Sequence, residues 1–226
     1  MTRRILLATT SHDKKGDTGQ ATGAFLPEVA HPYAVFRDAG FAVDVASVRG
    51  GKVPLEGLDT EDPVSVAFLA DPIAMRFMSE SQRSSDVDPK KYDAIFFAGG
   101  HGAMWDLPDD PGFAAAARAV YERGGIVAAV CHGPAALVNL RLSNGSYLVA
   151  GKTVSAFTND EERAVKLDQV VPFLLADELV ARGAKHAPAP NWQEQVVADQ
   201  RLVTGQNPAS ATGVARRVVG LLAERG

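Results

Sequence analysis

Apolar residues in this chain fall in short runs, each closed by glycine or by a polar turn, with longer amphipathic stretches between them. Residues 3–8 form a brief apolar run ending in Thr9, Thr10 and Ser11, the pattern of a buried strand. Over 23–39, Phe25, Val29, Val35 and Phe36 recur at helical spacing, and Gly40 closes the segment. Residues 41–47 read as a second strand. The stretch 49–63 carries three glycines and two prolines, which predicts a hairpin or an irregular excursion. A helix is expected over 71–81, with Pro72 tolerated in its first turn. Residues 92–98 then form a strand running into Gly99-Gly100-His101-Gly102. An alanine-rich helix over 111–123 ends at Gly124-Gly125, and the strand 126–130 leads straight into Cys131. A helix at about 133–140, strands near 153–157, 194–198 and 201–204, and helices near 159–167, 172–182 and 207–224 complete the pattern.

Strands alternating with helices across short glycine turns predict an α/β three-layer sandwich with a mostly parallel central sheet, flavodoxin-like in arrangement. At 226 residues the chain suits one α/β domain spanning 1–226 with a small insertion at about 49–90. In such sheets reactive groups gather beyond the carboxyl ends of the strands. The loops 9–23, 99–102 and 131–133 leave such ends, so the chemistry is expected where they meet.

Charge and cysteine usage narrow the function classes. The net charge is −4 with no basic stripe, which argues against nucleic acid and anionic membrane as partners. The apolar run after Arg4 is too short for a signal peptide, and no stretch approaches the roughly 20 apolar residues of a membrane span. One cysteine excludes an intramolecular disulfide and suits a cytoplasmic setting.

That cysteine carries the chemistry. In Ala129-Val130-Cys131-His132-Gly133-Pro134 a β-branched run meets a helix without a spacer, with small residues two before and two after the cysteine. A nucleophile elbow demands this pattern, because its backbone turns too sharply for bulk. An elbow at a helix N-terminus favours thiolate over thiol, so Cys131 is expected to rest as an ionised nucleophile rather than as inert core packing. His132 is placed to stabilise the sulfur or shuttle its proton. Backbone N–H groups of Gly100 and His132 are the expected oxyanion donors. Gly99 and His101 border the expected substrate pocket, and His31, one turn from Glu28, is expected to face it too. His12 and His186 read as loop residues, and Trp105 and Trp192 as packing. Paired metal-ligand spacings are absent, and the residues after the first strand match neither GxGxxG nor a Walker loop, so neither a metal nor a nucleotide site is expected.

Four segments together resemble the PfpI superfamily, which has the class I glutamine amidotransferase fold: 21–36 (ATGAFLPEVAHPYAVF), 96–109 (FFAGGHGAMWDLPD), 129–137 (AVCHGPAAL) and 202–211 (LVTGQNPASA). Within it the chain is most similar to the stress-induced glutathione-independent glyoxalases, also described as heat-shock chaperones. The resemblance implies a glyoxalase III-type lyase (D-lactate dehydratase class) that converts methylglyoxal to lactate, with possible deglycase activity, as a homodimer without cofactor. It implies an acid at Glu28, the nucleophile at Cys131, its histidine at His132, and an orienting acid at Glu162, with Asp160 and Glu161 as neighbouring alternatives. A holdase chaperone and a cysteine peptidase or amidase are the competing functions within the same superfamily.

Overall fold

The computed structural model describes residues 2–58 and 61–224. Positions 59–60 of the expected excursion, and both extreme ends of the expected 1–226 unit, lie outside the described residues. Its strands are β1 (Arg4–Thr9), β2 (Ala24–Phe25), β3 (Ala42–Ser47), β4 (Leu55–Glu56), β5 (Gln82–Arg83), β6 (Ala94–Phe97), β7 (Ile126–Val130), β8 (Thr153–Val154), β9 (Lys185–His186), β10 (Val196–Asp199) and β11 (Leu202–Gly205). Its α-helices are α1 (Leu26–Asp38), α2 (Pro63–Ala70), α3 (Pro72–Ser79), α4 (Ala103–Asp106), α5 (Pro111–Glu122), α6 (Asn159–Ala164), α7 (Leu175–Ala181) and α8 (Ala211–Ala223).

Seven strands form the central sheet in the order β10-β11-β7-β6-β1-β3-β5. All pair in parallel except β10, which runs antiparallel to β11. The alternation along each strand explains the three layers. Ile5, Leu7, Ala94, Phe96, Ala128 and Val130 point to one face, where they pack with residues of α1, α2, α3 and α8. Leu6, Ala8, Ile95, Phe97, Val127 and Ala129 point to the other, against α4, α5 and α7. Both faces are therefore apolar, and each large side chain buried there contributes about 1.5–3 kcal/mol. Among the described residues no helix is long and apolar enough to cross a membrane.

Three local departures from the sequence expectation have identifiable causes. The segment after the elbow is a 3₁₀ helix, Gly133–Leu137, rather than an α-helix over 133–140. Ala135 N–H bonds to His132 C=O three residues back, at 3.0 Å, and sets that tighter spacing. The expected strand at 153–157 stops at Val154 and pairs only with β9. Beyond it, Ser155 N–H donates to Thr204 Oγ1 (2.9 Å) and Phe157 N–H to Cys131 C=O (3.0 Å), so these groups are spent on the site.

The third departure is α2, a helix that begins at the end of the expected excursion, within the expected insertion at about 49–90. Asp62 is its N-cap, accepting from Val64 and Ser65 N–H at 3.2 Å each, with Pro63 in the first turn. Asp62→Ala is expected to lower stability by about 1–2 kcal/mol, read from the urea unfolding midpoint at unchanged slope.

Candidate active site

Cys131 occupies the left-handed region, with φ at 59°. A non-glycine residue there costs about 1–3 kcal/mol and persists only when its surroundings dictate it. They do so here: Cys131 N–H bonds to Gly205 C=O at 3.0 Å, and its C=O accepts from Phe157. Any side chain at Gly133 would fall on the Phe97 carbonyl. The thiol is thus turned off the end of β7 into a cavity of about 550 Å³, with only 4% of the residue exposed.

A row of four ionisable side chains runs away from the sulfur. His132 Nδ1 lies 3.3 Å from Cys131 Sγ, and its Nε2 lies 2.7 Å from Glu162 Oε2. Glu162 Oε1 lies 2.9 Å from His101 Nε2, and Glu56 Oε1 lies 3.7 Å from His101 Nδ1 and accepts the His101 backbone N–H at 2.7 Å. Burial alone would raise Glu162, but hydrogen bonds from His101 and then His132 outweigh it and hold the carboxyl at about 2. Burial would likewise raise Glu56, yet the side chain and backbone of His101 bring it to about 2. For His101, burial is overcome by the two carboxylates, and its pKa is raised. His132 is lowered, by burial first and by the neighbouring His101 cation second. The outcome is a neutral His132 whose Nε2–H points at a carboxylate, leaving Nδ1 as an acceptor facing the thiol.

Glu28 approaches from α1. It is fully buried, with Oε2 accepting Gly99 N–H at 2.9 Å and Oε1 making no hydrogen bond among the described residues. Burial pushes its pKa up to about 8, partly offset by its interactions with Cys131 and Gly99. Against the expectation of a resting thiolate, burial, and next the interaction with Glu28, push the Cys131 thiol up. A five-residue 3₁₀ helix supplies too little dipole to oppose that desolvation. Ionisation must therefore accompany proton transfer to His132. Gly100, at φ 101°, lines the cavity, and a side chain there would strike Gly23 and Phe25 backbone. Its N–H makes no hydrogen bond among the described residues, while the His132 N–H is directed at Sγ.

The loops expected to converge do so, bringing together Cys131, His132, Glu28, Glu162, Gly100 and His101. Two pocket assignments need correction. His31 lies outside the cavity, its ring held between Asp62 Oδ2 (2.9 Å) and Thr212 Oγ1 (3.1 Å). Gly99 is buried behind Glu28 rather than lining the cavity, and its bare Cα leaves room for that carboxyl. Trp192, expected as packing, is 47% exposed and lines the cavity. Of the three adjacent acids, Asp160 is exposed and paired with Arg163, Glu161 is buried in the α6 capping box, and Glu162 reaches His132.

Sequence reading missed Glu56 and the wall formed by Phe157; no local pattern marks either. His101, His132 and Glu162 also place three ligating atoms within 4.8 Å of one another, a set with metal-binding capacity drawn from two turns and helix α6, distant in sequence and so invisible to spacing rules.

Known proteins are similar to this chain along nearly their full length. A protein of Schizosaccharomyces pombe named probable glutathione-independent glyoxalase hsp3103 is 35% identical, with 98% of each chain covered. Glyoxalase 3 of Candida albicans is 36% identical, covering 96% of this chain and 97% of its own. Among solved structures, the 24 kDa rapid encystment protein of Francisella tularensis superposes with a TM-score of 0.95 at 40% identity, covering 98% of this chain and 99% of that one. Glyoxalase III from Candida albicans superposes at 0.90 with 29% identity, covering 96% of both chains. The pattern of the DJ-1/PfpI family matches residues 21–221, and with the elbow, the parallel sheet and these relatives in agreement, the chain belongs to the DJ-1/PfpI family.

Proposed function

We propose that this protein is a glutathione-independent glyoxalase that converts methylglyoxal to lactate through Cys131. The observation carrying this reading is the placement of Sγ between two proton carriers, the His132–Glu162 pair on one side and the neutral Glu28 carboxyl on the other. The names of the relatives supply the substrate class.

In this mechanism Sγ attacks the aldehyde carbon of methylglyoxal as His132 Nδ1 takes the thiol proton. The alkoxide forms beside the N–H groups of Gly100 and His132, where fixed donors stabilise developing charge. A carboxyl whose pKa lies near 8 exchanges its proton at neutral pH; in its ionised form Glu28 removes the C1 hydrogen of the hemithioacetal and returns it to C2 through an enediol, while His132 passes the thiol proton to the C2 oxygen. The result is a lactoyl thioester. Water cleaves it, releasing lactate and the thiol. We further propose a cytoplasmic homodimer. A lone thiol stays reduced in that compartment, and the exposed Leu58, Val66 and Ile73 offer apolar surface for association.

The test is lactate formation from methylglyoxal without glutathione, for wild type and Glu28→Gln. Wild type should accumulate lactate; its failure to do so removes the reading. Glu28→Gln should lose about 10²–10⁴ in turnover. Iodoacetamide should still alkylate its single thiol, and at lower pH, because the neighbouring negative charge is gone. The same variant should gain stability. Glu28 is raised from 4.5 to about 8 in the fold, so the native state binds the extra proton between those values. Wild-type stability therefore declines as pH rises through that window, by up to a few kcal/mol. A neutral glutamine escapes the decline. Melting temperatures should diverge in favour of Glu28→Gln from pH 5 to pH 8, and equal pH dependence would show that Glu28 is not buried neutral.

A further inference from the structure

We propose that the preferred substrates are 2-oxoaldehydes carrying an aryl or other bulky apolar substituent, with Trp192 as the specificity-determining residue; this rests on the glyoxalase reading and names its substrate class. The cavity at Cys131 has a volume of about 550 Å³. That lies within the range of about 300–1,000 Å³ typical of sites for much larger ligands, and methylglyoxal, with a single methyl beyond its two carbonyls, fills little of it.

The walls of the cavity differ in chemistry. Lys15, Glu56 and His101 give the lining polar, charged groups, while Phe157, Val165 and Trp192 give it apolar surface. Val165 and Trp192 are both exposed large hydrophobics, 38% and 47% respectively, so apolar surface is left uncovered at the mouth of a reactive site.

Trp192 is held in place by more than packing. Its φ is 65°, a conformation that bulky L residues rarely adopt. The anchor is Glu161, fully buried, whose Oε1 accepts Trp192 N–H at 2.8 Å as well as Asn207 Nδ2 (2.8 Å) and Gln206 Nε2 (3.1 Å). The indole meets the Phe157 ring edge-on at 5.9 Å, and Phe157 lies 4.4 Å from the ring of His132. An aromatic wall thus runs from the proton carrier to the cavity mouth, strained in backbone and half open to water. A phenyl group on C2 of the substrate would meet this wall, since aromatic pairs favour such edge and offset contacts. The substituent stays off the reacting carbons. The C1 hydrogen moves to C2 and water cleaves the thioester, so phenylglyoxal yields mandelate with the thiol regenerated.

The experiment compares kcat/KM for phenylglyoxal and methylglyoxal, without glutathione, in wild type, Trp192→Ala and Trp192→Phe. Wild type should favour phenylglyoxal by about tenfold or more. Trp192→Ala should cut that ratio by about tenfold, mainly through KM for phenylglyoxal, and Trp192→Phe should restore most of it. An unchanged ratio in a folded Trp192→Ala, or wild-type preference for methylglyoxal, overturns the assignment while leaving the glyoxalase reading intact. Absence of turnover with both aldehydes overturns that reading and this inference together.

Discussion

Cys131→Ser should reduce lactate formation from methylglyoxal by at least about 10³-fold while leaving the fold intact. Serine preserves the shape of the elbow, and the left-handed φ of 59° is imposed by the Gly205 and Phe157 backbone contacts rather than by sulfur. Its stability should therefore match wild type within about 0.5 kcal/mol in urea unfolding. What changes is the proton affinity of the nucleophile. The buried thiol is already pushed above its ordinary pKa, and a hydroxyl in the same place is far harder to ionise. His132 Nδ1, 3.3 Å from sulfur, would have to withdraw a much more tightly held proton across a gap shaped for a larger atom. Because the chain has one cysteine, a mass shift on alkylation reports this site alone and disappears in the variant. Lactate produced at the wild-type rate by Cys131→Ser would transfer the chemistry elsewhere in the protein.

The sheet was readable because a parallel core leaves strong local marks. Runs such as Ile126–Val130 are apolar on both faces, and glycine turns bound them. The elbow was readable for a related reason: only small residues survive beside so sharp a turn, as Gly133 against the Phe97 carbonyl illustrates. Ionisation was not readable. A strand–helix junction signals a dipole, but the degree of desolvation at Cys131 depends on Glu28, Phe157 and the loops above, which no window of sequence contains. The same limit hid Glu56, which sits on a two-residue strand and reaches the site through its contact with His101, with Thr22 and Lys15 on its other oxygen. His31 failed in the opposite direction. Helical spacing put it near Glu28, but Asp62 and Thr212, from α2 and the start of α8, captured its ring.

Glu162 offers the second large effect, and one that separates orientation from simple charge. Its carboxylate accepts from His132 Nε2 at 2.7 Å and from His101 Nε2 at 2.9 Å, so both imidazoles present N–H to it. An amide of nearly the same shape has one accepting and one donating end. In Glu162→Gln, an amide nitrogen facing His132 would require Nε2 to accept, moving the ring proton to Nδ1 and aiming it at the thiol. An imidazole in that tautomer cannot take the Cys131 proton. Reversing the amide keeps His132 correct but forces the neighbouring His101 to give up its cationic form. Turnover should fall by about 10³–10⁴, the scale seen when an orienting acid becomes an amide. The pH profile carries a second signature. Glu162 raises the pKa of His132 against burial, so without its charge the acid limb of kcat/KM should move to lower pH even as the plateau drops. Asp160→Asn, at an exposed residue paired with Arg163, should retain the wild-type rate and profile. A Glu162→Gln enzyme whose rate and acid limb both match wild type would mean that His132 is not the group that receives the thiol proton, and the base would then have to be sought in Glu28 alone.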